Sequence, residues 1–403
     1  MSILSQMGGV LSFAADEMST PPRIAPAVLD TARQEQARRY ARQRQALSLT
    51  GLTLSTLLIA ILLFTGLGFA LRDALAGIPS WRPVAGWDVW RLAVYFLIVA
   101  GAGALITWPT GFYGGYVLSR RYGLSTLSLR AWLMDQVKGL AISLPIELLA
   151  VEFVYFLLAA APSTWWLWTA LALLLFTAVA ANLAPVLLLP LFFKLTPLPE
   201  GDIRERALAL ARIAGTRVRG IYTMNMSAKT TAANAFVIGL GNTRRVVLCD
   251  TLLDHYTADE IEVVVAHELG HQAHHDIPKL IAVQAAATLA GLFVVNLVLH
   301  GVVSHVSAYH GLADPATLPL IAAALGVFAL VTLPITNGYS RHVEHQADVY
   351  ALNVTSKREA FISAMTRLAN QNLAELRPAP LVEFFLYDHP ATGRRIAFAQ
   401  GWV

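Results

Sequence analysis

Thr257-Ala258-Asp259-Glu260, running on through Ile261, Val264 and Val265 into His267-Glu268-Leu269-Gly270-His271, is the stretch from which the rest of the chain can be read. A hydroxyl at the N-cap and a carboxylate three residues on make a capping box, which opens a helix. On that helix His267 and His271 lie one turn apart on a shared face, with Glu268 beside them. Two neutral imidazoles suit a zinc ion but leave it one short of the three protein ligands a catalytic site normally has. Glu268 is then the candidate general base.

The third ligand has to come from elsewhere. A local histidine would require Gly and His three and six residues past His271, and positions 274 and 277 hold His274 and Ile277, which excludes that class. Glu344-His345-Gln346-Ala347-Asp348 instead offers two carboxylates at i and i+4, hence on one helix face. Glu344 is read as the ligand. Asp348, one turn on, is read as acceptor for the free ring N–H of a ligating histidine, which fixes its tautomer. The bland alternative is a solvated acidic face paired with Arg341.

Composition supplies the setting. Of 403 residues, 56% are hydrophobic and only 14% charged, a balance that departs from soluble globular averages toward membrane proteins. Apolar runs at about 47–71, 92–118, 139–161, 164–193, 280–300 and 317–339 each approach or exceed the roughly 20 residues a helix needs to cross a bilayer. Six spans follow. The first comes after a long tail containing Arg33, Arg38, Arg39, Arg42 and Arg44, so it reads as a retained anchor rather than a cleaved leader.

Basic residues also mark the loop with Arg120, Arg121, Arg130 and Lys138, whereas the 301–316 loop has none. The positive-inside rule then places both termini and the 194–279 segment in the cytoplasm. On this reading the chain divides into a basic tail (1–46), four spans (47–193), a metalloprotease portion carrying the HExxH helix (194–279), a transmembrane hairpin (280–339) and a C-terminal portion completing the zinc site (340–403). The hairpin is what returns Glu344 to the membrane face that holds His267. The net charge of +4 comes mostly from juxtamembrane arginines, which fit anionic lipid better than nucleic acid. The lone Cys249 allows no intramolecular disulfide and reads as a buried structural residue.

Between the fourth and fifth spans, Leu195-Thr196-Pro197-Leu198-Pro199 breaks the helix, and Asp202 to Ala214 has the apolar spacing of an amphipathic one. Two β-rich runs follow, Val218 to Met224 and Arg245 to Cys249, with Asn234 to Ile238 between them and Gly241-Asn242 as a turn signal. These predict a small β-meander. Asn234, Ala235 and Phe236 are the candidate substrate-binding edge, which would take an extended peptide as an added strand; an ordinary packed strand is the equal alternative. Glu147 and Glu152 lie inside the third run, where a carboxyl group should face a partner or a water-filled cavity.

Tyr122-Gly123-Leu124-Ser125, Asp135-Gln136, Leu195 to Gly201, Asn234-Ala235, Val246-Val247-Leu248 and Asp250-Thr251-Leu252-Leu253 precede the HELGH motif. Ser340-Arg341, Glu344, Gln346-Ala347-Asp348, Asn372-Leu373, His389-Pro390 and Arg395 follow it. Together they resemble the type I CAAX prenyl endopeptidases, integral-membrane zinc metalloproteases of the gluzincin kind, over roughly positions 92–399. The resemblance implies that one zinc ion is bound by His267, His271 and Glu344, that Glu268 is the base, and that His389 and Arg395 stabilise the oxyanion. It also implies a mainly α, six-helix membrane barrel around an internal chamber. Two departures bear on substrate. Eukaryotic members tend to carry a histidine two residues before the Asn-Ala pair, where this chain has Ala232, and the chain has one span fewer than their seven.

The expected activity is hydrolysis of peptide bonds in membrane-associated or lipid-modified protein substrates, as CAAX-type processing or membrane-protein quality control. The expected setting is a bacterial inner membrane, in contact with its lipids, with no nucleic acid and no obligate partner protein. The competing readings are a membrane scaffold with structural zinc, which would close four protein ligands around the ion, and a transporter, which would show repeated halves.

Overall fold

The computed structural model describes residues 27–239 and 241–402. Six of its helices are long and apolar enough to cross a membrane. Four precede the sheet: α1 (Thr31–Phe64), α2 (Val89–Phe112), α3 (Leu129–Ala160) and α4 (Trp165–Leu187). After strand β1 (Leu195–Pro197) come α5 (Asp202–Ile213), β2 (Ile221–Met224), β3 (Ala235–Ile238) and β4 (Arg245–Cys249). Then follow α6 (Ala258–Ala273), α7 (Asp276–His305), α8 (Leu318–Thr355), α9 (Arg358–Gln371), α10 (Pro380–Leu386) and α11 (Thr392–Gln400). Along the spans large apolar side chains point outward, Leu171, Leu175 and Phe176 from α4 and Val327, Val331 and Ile335 from α8. Such a surface needs lipid rather than water to cover it.

Two helices overrun their apolar stretches, and both overruns matter. α1 begins at Thr31, with Asp30 capping Arg33 N, because the arginine- and glutamine-rich residues from 31 to 46 are themselves helical and bury Gln34, Ala37 and Tyr40. Its apolar run then breaks at Gly66, whose φ of 78° only glycine adopts cheaply. α8 continues without a stop from its membrane portion to Thr355, so Glu344 and Asp348 ride on the same rod as the sixth span.

The sheet corrects the expected meander. Its order is β1-β2-β4-β3, with β2 and β4 parallel and the other two pairs antiparallel. A meander would have put β3 beside β2. Instead the chain crosses over after Met224, and β4 takes the centre, where Val246 to Cys249 are all fully buried. The unbroken apolar run Val246-Val247-Leu248-Cys249 is what a central strand covered on both faces requires. The helix-breaking Leu195–Pro197 is also a strand, paired to β2. β3 lies at the sheet edge. One face of the sheet, with Ile221, Ala235, Val246 and Leu248, packs with α5, α6 and α9 into the main core outside the spans. The other, with Met224, Val247 and Cys249, meets Leu189 and Phe193 beyond the end of α4.

Candidate active site

The helix carrying the motif is built as its sequence demands. Thr257 accepts from Glu260 N, and the Glu260 carboxylate accepts from Thr257 N at 2.8 Å. Glu260 is buried and also accepts from Ser363 Oγ and Arg367, which ties the start of α6 to α9. Further along, α8 crosses α6 closely because Gly270 has no side chain. A Cβ there would lie 3.1 Å from the Tyr350 ring and 3.3 Å from Ala347 Cα. That crossing brings Glu344 to the motif histidines.

Glu344 Oε2 lies 3.2 Å from His267 Nε2, and Glu344 Oε1 lies 3.5 Å from His271 Nε2. His267 and Glu344 are buried. Although His267 Nε2 is so near, Glu344 Oε2 is buried without a hydrogen bond. Two donors facing one another in this way suit a shared cation. Ligand atoms about 2 Å from a tetrahedral zinc stand about 3.3 Å apart, which matches both separations. The three donors lie within 4.8 Å of one another and are the one such group among the described residues. The residues therefore fit a metal ion held by three protein ligands, with room left for a fourth.

Each histidine is held from behind. His267 Nδ1 meets Asp348 Oδ1 at 2.9 Å. His271 Nδ1 meets Asp276 Oδ2 at 3.1 Å. Asp276 is fully buried, and it is delivered by a sharp turn in which His275 takes a left-handed φ of 55°. Its partnership with His271 was not legible in the sequence, where Asp276 reads as one more charge flanking the motif. The only signal is its place, an acid just beyond the end of the metal helix.

Arg395 gives two of its donors to Asp348, Nε at 2.8 Å and an NH2 at 2.6 Å, with the same NH2 3.4 Å from His267 Nδ1. The guanidinium thus sits behind His267, on the side away from Nε2. His389 comes from the opposite direction. Its Nε2 lies 3.2 Å from Glu344 Oε1 and its Nδ1 2.9 Å from Asp388, and its side chain is 55% exposed. Arg341 does not pair with Glu344 or Asp348. It donates to the carbonyls of Glu383 and Tyr387, while the buried Glu383 carboxylate accepts from Ala391 N. These bonds strap the His389 loop to α8.

Glu268 is half-buried on the same turn as the histidines. Burial pushes its carboxyl group above the ordinary range, and the imidazoles of His267 and His271 oppose that only in part. A carboxyl group shifted upward in this way is a stronger base than an ordinary carboxylate, as a proton acceptor requires. Edge strand β3 packs along α6, with Ala235 turned into the core and Phe236 toward the face above Phe193.

Residues 197–403 match the family model described as Peptidase family M48. The chain belongs to that family. Residues 13–194 match a second model, described as CAAX prenyl protease N-terminal, five membrane helices. The described residues of that region hold four candidate spans. This M48 chain is 30% identical over 367 residues to an uncharacterized metalloprotease of Bacillus subtilis, YhfN, covering 90% of this chain and 84% of that one. It is 28% identical over 304 residues to the CAAX prenyl protease 1 homolog of Arabidopsis thaliana, covering 73% and 69%. The crystal structure of S. mikatae Ste24p shares its fold, with a TM-score of 0.81, 21% identity and coverage of 94% of this chain and 93% of that one. The protein is thus a multi-pass membrane metalloprotease of M48, acting on peptide or protein substrates.

Proposed function

We propose that this chain is a zinc endopeptidase of a bacterial inner membrane, with its active site on the cytoplasmic side, that cleaves membrane-associated proteins near their C-termini, lipid-modified ones among them. The observation that carries the reading is the closure of His267, His271 and Glu344 around one point with Glu268 alongside. Three protein donors leave a position for water, which a structural scaffold site would fill with a fourth ligand. The CAAX prenyl protease names of the relatives and the match over 13–194 support a lipid-modified substrate class. The arginines of α1 and those following α2 support the cytoplasmic placement.

In the proposed mechanism His267, His271 and Glu344 hold the zinc, which when bound supplies the Lewis acidity that activates water and polarises the scissile carbonyl. Glu268 takes the proton of the attacking water and passes it to the leaving amine. Asp348 and Asp276 hold the two imidazoles in the tautomer that presents Nε2. His389, a cation held beside the site by Asp388, donates to the developing oxyanion, a contribution of a few kcal/mol in such sites, on the order of 3. Arg395 acts through Asp348 rather than on the oxyanion directly. The substrate lies along β3 as an added strand, hydrogen-bonded near Asn234, Ala235 and Phe236.

Glu268→Gln tests the reading when zinc content and cleavage of a membrane-anchored peptide are measured together. Full zinc with cleavage lost is expected; unchanged cleavage rejects the mechanism. Comparing a prenylated C-terminal peptide with its unmodified form tests the substrate class.

A further inference from the structure

α1 and α2 change character at the same level. Arg44 is the last charged residue of α1, and everything beyond it to Phe64 is uncharged. α2 is uncharged from Leu92 to Phe112 and runs into a π-helical turn, Tyr113–Leu118, after which Arg120 and Arg121 follow. π-turns are rare and are found most often at functional positions. Around this turn Trp108, Phe112, Tyr116 and Trp132 pack ring against ring, and Trp and Tyr are the residues that gather at a membrane–water boundary.

A cavity of about 530 Å³ opens between the two helices at this boundary. Its lining is mixed: Arg44 and Ser48 from α1 and Ser119 beyond the π-turn are polar, and Leu47, Gly51 and Gly111 are apolar. Arg44 makes no ion pair among the described residues; its guanidinium lies 5.7 Å from the Tyr40 ring. Gly111 leaves open space where a side chain would project. A guanidinium beside hydroxyls recognises a phosphate oxyanion. Leu49 and Leu52, exposed on the uncharged part of α1 next in sequence to the cavity-lining Ser48 and Gly51, suit acyl chains.

We infer that this cavity seats the headgroup of one anionic phospholipid, with its phosphate on Arg44 and its acyl chains along α1. Free phosphate would use only Arg44 and the hydroxyls, whereas Leu47 and the glycine-lined wall offer apolar surface as well. The surrounding Arg38, Arg42, Arg120 and Arg121 add an attractive field for anionic headgroups. The lipid ties α1 to α2, and α1 with the segment just before it is bonded to the portion outside the membrane, Ala27 N to Ser363 Oγ at 2.7 Å and Gln34 Nε2 to Ala374 O at 3.3 Å.

Native mass spectrometry of the full chain in detergent, with phosphatidylglycerol or phosphatidylcholine added, tests the site. One retained phosphatidylglycerol is expected, with phosphatidylcholine lost. Arg44→Gln should weaken that binding roughly fivefold. Gly111→Leu should abolish it by filling the cavity, and Arg39→Gln, an exposed residue paired with Glu35, should leave it unchanged. Equal retention of phosphatidylcholine, undiminished phosphatidylglycerol on Arg44→Gln, or displacement of the lipid by the same concentration of inorganic phosphate overturns the inference. Should Gly111→Leu fail to fold, the contrast between Arg44→Gln and Arg39→Gln decides alone.

Discussion

His271 and Asp276 are joined across the turn between α6 and α7, Nδ1 to Oδ2 at 3.1 Å, so the second motif histidine takes its orientation from the first residue of a membrane span. Removing such a carboxylate typically costs roughly 10- to 100-fold in metal affinity. Asp276→Ala should show that loss in a chelator competition titration while Glu268 stays in place. Affinity equal to wild type would mean that the turn alone holds the imidazole.

Arg395 spends its fork on Asp348, so its contribution to activity should travel with the metal. Arg395→Lys keeps the charge but loses the paired geometry. Zinc affinity and kcat/KM should fall together, and raising the zinc concentration should restore much of the rate. Full zinc occupancy with kcat alone reduced would return Arg395 to the oxyanion.

Gly270 sets the distance between the two helices that hold the ligands. Gly270→Val puts atoms where Tyr350 and Ala347 already stand, a kind of overpacking that costs about 1–3 kcal/mol. The variant should unfold at lower temperature and bind zinc more weakly. Stability equal to wild type would show that α8 can retreat freely.

His389 should govern the alkaline side of the pH profile. Asp388 first and Glu344 second hold its imidazole up to about 10 from an ordinary 6.5, against burial. The imidazole therefore stays cationic through neutrality and loses its proton only as pH rises through the raised value. Asp388→Asn removes the larger support, so the basic limb of kcat/KM should move to lower pH. A limb that does not move assigns that titration to another group.

Metal loading should release protons at neutral pH. In the metal-free site burial draws His267 toward its neutral form, but Asp348 and Glu344 prevail and raise it to about 9. Zinc must displace that proton, so calorimetric titrations at pH 7 in buffers of different ionisation enthalpy should report roughly one proton released per zinc. The metal-free protein should in turn lose stability as pH rises from the ordinary histidine value through about 9. No proton release at pH 7 would show the imidazole already neutral.

What could be read from the chain alone follows from how local each signal is. The capping box, the one-turn spacing of His267 and His271 and the shared face of Glu344 and Asp348 are properties of a few consecutive residues, and the structure has all three. Hydropathy located six spans because crossing a bilayer is itself a statement about one run of residues. Strand order was not legible in the same way. Val246 to Cys249 announced a buried strand, but nothing nearby says that its parallel neighbour is Ile221 to Met224. The roles of Asp276, Arg341 and Glu383 were equally hidden, since each depends on which helix passes close by.

The uninterrupted run of α8 from the membrane to Asp348 makes one third of the proposed metal cage a lever whose long arm lies in lipid. Val331 and Glu344 are separated by about 20 Å of continuous helix at 1.5 Å per residue, with Pro334 inside it as the one position where an interior hydrogen bond is lost. A bilayer too thick or too thin for that arm changes the helix's tilt, and the carboxylate at its far end moves with it. Zinc affinity should therefore respond to the thickness of the host membrane, and measurements in detergent and in lipid should differ.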